Sequence, residues 1–180
     1  MIKPEIETTE SRVVYQNRWM TVREDTVQRA DGRPGIFGIV DKPDFAVIAA
    51  MHEDCVLMVE QYRYPVQERF WELPQGSWEG DAIDPQTLAR SELLEETGVL
   101  AHSIFHVGHL YLGYGYSTQG YNVFLASELE FYEAKLDPEE QGLIAKSFKI
   151  AEVKRMVLDG IIKDAITVAA FGLLQLKGYL

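Results

Sequence analysis

Only one of the 180 residues is a cysteine, Cys55, so the chain lacks both the pair needed for an internal disulfide and the thiolate set of a structural zinc site. Lying within CysValLeuMetVal (55–59), it reads as a packed strand residue. Basic residues are also scarce. Lys and Arg number 17 against 28 Asp and Glu, which gives a formal charge of −11 and a pI near 4.8. That balance argues against nonspecific nucleic-acid binding and against docking on an anionic membrane. No apolar run is long and uninterrupted enough to span a bilayer, and nothing at the amino terminus reads as a signal peptide. The expectation is a cytoplasmic protein. Repeats, low-complexity tracts and an interdomain linker are missing as well, while 47% apolar residues exclude a disordered chain. A single domain over 1–180 with an ordinary core is the simplest organisation.

What the sequence does have is acid concentrated at one point. Glu92, Glu95 and Glu96 fall in the last turn of a helix whose ends are well marked, with Asp84 as cap, Pro85 at the first position and Gly98 as the left-handed residue after the end. Residues at i, i+3 and i+4 share a face, and like charges there repel by roughly 0.2–0.5 kcal/mol per pair. The helix C-terminus adds its own negative pole. Leu88 and Ala89 lie about one turn earlier on much the same side, so the acid-bearing face also packs inward. Unpaired buried carboxylates are too costly, so such a face must border a wet cleft or a cation, and a hard divalent ion would turn repulsion into coordination. A solvated acidic helix end is an equally available reading of the three glutamates alone.

The surrounding string, GSWEGDAIDPQTLARSELLEETGV (76–99), resembles the Nudix hydrolase signature, in which Glu92, Leu93, Glu95, Glu96, Gly98 and Val99 match the second half at the required spacing. GluLeuProGlnGly (72–76) resembles the strand and loop that precede it in the nucleoside-diphosphate-sugar branch. Two positions depart from the pattern. The family arginine falls on Ser91, with Arg90 one residue early and so about 100° away around the helix. The first glutamate falls on Ala82, in a loop (79–84) one residue longer than usual. In the family these two residues support the helix and loop. Losing both removes an ion pair without stranding one charge, so activity survives but Glu92 must be oriented by something else.

Segments 12–15, 19–29 and 36–41 read as strands around a turn at 30–34. Strands at 45–51 and 55–62 precede the acidic helix. Strands near 103–112, 121–129 and 144–149, a helix at 150–158 and a final helix from about Asp164 to Lys177 follow it. Mixed strands with helices so placed suit an α/β class chain, an α/β/α sandwich. The resemblance implies the Nudix fold, with 1–42 as an N-terminal antiparallel strand region that builds a homodimer, the alternative being a small sheet packed on its own subunit, and 43–180 as the catalytic core.

The resemblance also implies roles for residues outside the helix. Arg63 matches an arginine that contacts the diphosphate in relatives, and it reads otherwise as an exposed strand-end residue. Glu72 meets a base or ribose, or else pairs with a nearby cation. The carbonyl of Gly76 is a further metal ligand, since backbone oxygen suits hard cations. Asp137, Glu139 and Glu140 lie where relatives carry the carboxylate that orients water, with Glu139 and Glu140 not separable; a solvated charge run is the alternative. GlyTyrGlyTyrSerThrGlnGlyTyr (113–121) is a glycine-interrupted aromatic loop able to close over a substrate or to pack on its own subunit. In it Tyr114 stands near the position of a proline typical of the ADP-ribose branch, and this is reminiscent of dinucleoside-polyphosphate hydrolases. Strand alternation sends His106 and His109 to opposite faces, against a zinc site with His102.

The expected activity is Mg²⁺-dependent hydrolysis of the pyrophosphate of a nucleoside diphosphate sugar, ADP-ribose-like, to a nucleoside monophosphate and a sugar phosphate, with Mn²⁺ as substitute cation. Glu92, Glu96, Glu95 and Gly76 would hold metal; Glu95, Glu139 and Glu140 are candidates to take the proton from water; Arg63, Glu72 and Tyr114 would meet substrate. The alternatives are a dinucleoside-polyphosphate hydrolase and a catalytically silent nucleotide-sugar sensor, the latter motivated by Ser91 and Ala82.

Overall fold

The computed structural model describes residues 4–77, 84–134, 136 and 141–180. Ala82 and the acids Asp137, Glu139 and Glu140 lie outside the described residues. The chain divides into two compact units. One is formed by the chain through Asp44 together with Tyr111–Gly120, the other by Phe45–Leu110 with Tyr121–Leu180.

The first unit is an antiparallel meander of β1 (Ile6–Gln16), β2 (Thr21–Arg29) and β3 (Pro34–Asp41). The first hairpin is closed by Asn17, whose Oδ1 accepts the Trp19 and Met20 N–H groups, both at 2.9 Å. Gly32 turns the second at a φ of +83°. The segment 113–118 lies along the end of β3, where Val40 N donates to Tyr116 O at 2.8 Å and Thr118 N to Val40 O at 3.0 Å.

The second unit is a seven-stranded sheet between helices. Its strands are β4 (Phe45–His52), β5 (Cys55–Arg63), β6 (Glu68–Glu72), β7 (Gln75–Gly76), β8 (Val99–Tyr111), β9 (Gly120–Phe131) and β10 (Ile144–Lys149). They run in the order β10-β5-β4-β9-β8, with β6 added to β5 and β7 to β4. β4 and β9 are parallel, whereas β4/β5, β4/β7, β5/β6 and β5/β10 are antiparallel, so the sheet is mixed. The nearly unbroken apolar sequence of β4 is explained by coverage on both sides. Phe45, Val47 and Ala49 face α2 (Ile150–Leu158) and α3 (Ala165–Leu176), whereas Ala46, Ile48 and Ala50 face α1 (Pro85–Thr97). The expected α/β/α layering is therefore present.

The acidic helix starts and stops as its sequence predicts. Asp84 accepts the Thr87 N–H at 2.9 Å, Pro85 begins the helix, and Gly98 closes it at a φ of +69° with its N–H on Leu94 O. A side chain at Gly98 would also run into the Tyr132 carbonyl. Leu88, Ala89 and Leu93 are buried in the core layer, and Glu96 continues their stripe.

Candidate active site

The end of α1 lies against the short strand β7. Glu96 is only 1% exposed, and its Oε2 accepts the main-chain N–H of Gln75 at 3.2 Å. Glu92 sits so close to Gly76 that a Cβ at that position would overlap its whole carboxyl group. Glycine is therefore required at 76 by close approach. Glu95 is half-buried on the same turn. The predicted ligands Gly76, Glu92 and Glu96 are thus brought together by two elements, a helix C-terminus and a strand end.

This arrangement fits a hard divalent cation. A buried carboxylate and a second one fitted over a glycine are not a solvated helix end, and the adjoining backbone carbonyls belong to the same class of oxygen donor. Among the described residues, no group of three or more His, Cys, Asp or Glu is gathered as a metal cage. Mg²⁺ does not demand one, because it keeps several waters and is held by one or two carboxylates together with substrate phosphates.

Glu72 and Arg63, predicted to meet substrate, are paired with each other. The Glu72 carboxylate accepts both Nε (3.1 Å) and the terminal nitrogen of Arg63, and its Oε1 also accepts Gln61 Nε2 at 2.8 Å. Glu72 is buried, whereas the Arg63 side chain keeps 41% of its surface. Burial pushes the Glu72 carboxyl above the ordinary glutamate range, against the opposing pull of Arg63, and Asp164 adds to the upward push. Tyr114 belongs to the first unit, where it is 85% exposed.

The departures at the signature positions have a local account. Arg90 does not point toward the acids; its guanidinium donates to the Ala101 carbonyl of β8. One turn earlier Gln86 Nε2 donates to Ile104 O at 3.1 Å, so two side chains pin α1 to β8. Of the histidines, His102 bonds Glu130 at 3.1 Å and His106 bonds Asn122 at 3.0 Å.

Residues that the sequence did not single out are Gln61, Gln75, Asp164 and Thr167. Gln75 lies inside the GluLeuProGlnGly string, but its contribution is a main-chain N–H, for which a side-chain pattern carries no signal.

Known families and proteins resemble this chain along most of its length. Residues 42–166 match the NUDIX domain, and residues 6–40 match the nucleoside diphosphate sugar hydrolase N-terminal domain. The chain is 30% identical over 171 residues to an ADP-ribose pyrophosphatase of Mycobacterium tuberculosis (strain ATCC 25618 / H37Rv), covering 94% of this chain and 83% of that protein. It is 28% identical over 175 residues to the ADP-ribose pyrophosphatase of Bacillus subtilis (strain 168), covering 96% and 94%. A methanol dehydrogenase activator of Bacillus methanolicus is 29% identical over 176 residues, covering 96% and 94%. A solved structure described as an ADP compounds hydrolase shares the fold with a TM-score of 0.86 at 18% identity, covering 100% of both chains.

Proposed function

The chain belongs to the Nudix hydrolase family, and from that premise we propose that it cuts the pyrophosphate bond of a nucleoside diphosphate sugar, ADP-ribose in the first instance, to a nucleoside monophosphate and a sugar phosphate. The observation that carries the reading is the seating of Glu92 and Glu96 on Gly76 and Gln75. Two relatives named as ADP-ribose pyrophosphatases, similar along most of their length, support the choice of substrate.

Glu92, Glu96 and the Gly76 carbonyl would hold a divalent cation, Mg²⁺ with Mn²⁺ as substitute, and Glu95 joins them directly or through water. Such an ion would supply positive charge toward the diphosphate and lower the pKa of water, in a protein whose own charge is −11. The Gln75 N–H fixes the direction of the Glu96 carboxylate before substrate arrives. Glu139, Glu140 or Glu95 takes the proton as water attacks phosphorus in line and the bridging P–O bond breaks. Arg63 keeps exposed surface for the diphosphate while Glu72 holds its guanidinium, and Tyr114 is available to stack a base. The protein works as a homodimer through 1–42. Among the described residues no helix is long and apolar enough to cross a membrane.

The test is turnover of ADP-ribose and a nucleotide-sugar panel with Mg²⁺, products resolved by chromatography, for the natural protein and Glu96→Gln. AMP and ribose phosphate are expected, lost in excess chelator, with E96Q slower by orders of magnitude at an unchanged melting temperature. Full turnover in chelator, or by E96Q, would move the chemistry elsewhere.

A further inference from the structure

Four residues, Leu73–Gly76, carry both the N–H that holds Glu96 and the glycine that seats Glu92. What fixes this segment lies far away in sequence. The Leu73 N–H donates to Thr167 Oγ1 at 2.8 Å, across 94 residues. Pro74 has no N–H to place, and its carbonyl accepts Ile48 N of β4 at 2.9 Å. Gln75 continues the ladder opposite Val47, gives its N–H to Glu96, and aims its side-chain Nε2 at Asp164 Oδ2, 3.4 Å away.

Thr167 is 0% exposed and its hydroxyl is used twice, accepting from Leu73 and donating to Asp164 Oδ2 at 2.7 Å. Capping of α3 does not need that hydroxyl, because Asp164 already accepts the Thr167 and Ile166 N–H groups at 2.9 and 3.4 Å. Where an apolar side chain of the same shape does neither, the hydroxyl both accepts from a buried amide and donates to a carboxylate. Its remaining task is to hold Leu73.

We propose that Thr167 and Asp164 are positioning residues for the acidic site, acting through the main chain of Leu73–Gly76 so that Gln75 N–H and Gly76 meet α1 in register. The proposal rests on the reading of Glu92 and Glu96 as the cation site. It also answers what orients those acids: α3, on the opposite face of the sheet, reaches through its cap to the strand end under α1.

The test is Mn²⁺ binding, read from the free-ion paramagnetic resonance signal, alongside Mg²⁺-supported kcat and thermal melting, for the natural protein, Thr167→Val, Thr167→Ser, Asp164→Asn and Glu96→Gln. Valine keeps the volume but strands the Leu73 N–H, and T167V is expected to bind Mn²⁺ about tenfold more weakly with a lower kcat. T167S restores the hydroxyl and the natural values. Asparagine still caps a helix, so D164N remains informative if T167V does not fold, and it weakens Mn²⁺ binding in the same direction. T167V and D164N with lowered melting but natural Mn²⁺ affinity and kcat would overturn the proposal. If E96Q and the natural protein bind Mn²⁺ alike, the cation-site reading itself falls and takes this inference with it; if only E96Q loses binding, the positioning role alone is wrong.

Discussion

A single missing side chain decides where Glu92 can stand. Gly76 has an ordinary strand conformation and would tolerate any residue on backbone grounds, yet a Cβ there would occupy the space of the Glu92 carboxyl. Gly76→Ala should therefore leave the fold in place, displace Glu92 and reduce kcat on the order of a hundredfold, the scale of loss that an ångström of misplacement produces. Natural kcat in a folded Gly76→Ala protein would show that Glu92 is not held there. This residue was legible in the sequence, but only as a member of a pattern; the reason for it is a contact between two segments that the sequence separates by a loop. Glu72 makes a different kind of prediction. Its carboxyl is raised by burial, so between the ordinary glutamate pKa and the raised folded value the native protein holds a proton that the unfolded chain has released. That contribution to stability is complete below the ordinary pKa and disappears as pH rises through the folded one. Relative to Glu72→Gln, the natural protein should lose melting temperature across that window and then level off. A difference that grows with pH there would contradict the sign.

At the scale of elements, capping chemistry and apolar patterning were the readable part. Asp84 and Gly98 mark the ends of α1 as expected, and β10 and α2 occupy the expected 144–149 and 150–158. β1 was read as 12–15 but runs Ile6–Gln16, because its ThrThrGluSer stretch has no apolar alternation and every residue of the strand is exposed. Its existence rests on pairing with β2, which no local pattern announces. β8 begins at Val99 rather than near 103, since the left-handed Gly98 reverses the chain within one residue. β6 was not assigned and β7 is two residues long; β6 returns along β5 as the second arm of a hairpin, whereas β7 exists through long-range pairing with β4. What orients Glu92 was the open question left by Ser91 and Ala82. Gln86 and Arg90 bear on it by fixing the helix that carries Glu92, grasping two carbonyls of one strand from successive turns, a clamp visible only once β8 lies beside the helix.

For the whole molecule, the distribution of exposed apolar surface is the informative quantity. In the first unit Val13, Val14 and Tyr15 of β1 and Ile36 of β3 are each more than half exposed, in a three-stranded sheet in which β1 is an edge strand among the described residues. Apolar groups on so thin a layer gain little from their own unit, and an unpaired strand edge beside them is the kind of surface that a second copy covers. The match of 6–40 to a separate N-terminal domain of nucleoside diphosphate sugar hydrolases sets the same segment apart from the catalytic core. Homodimerisation through this region was expected from resemblance, and the exposed residues name where a test of it acts. Sedimentation velocity on the natural protein should give twice the 20.5 kDa of one chain, and the double change Val13→Lys with Val14→Lys, which puts two charges among the exposed apolar residues of β1, should return it to the single-chain mass. Neither residue packs in a core, so the melting temperature of the catalytic unit should be preserved in the variant. A natural protein that sediments as 20.5 kDa at micromolar concentration, or a double variant that still sediments as a pair, would mean that β1 is not the joining surface.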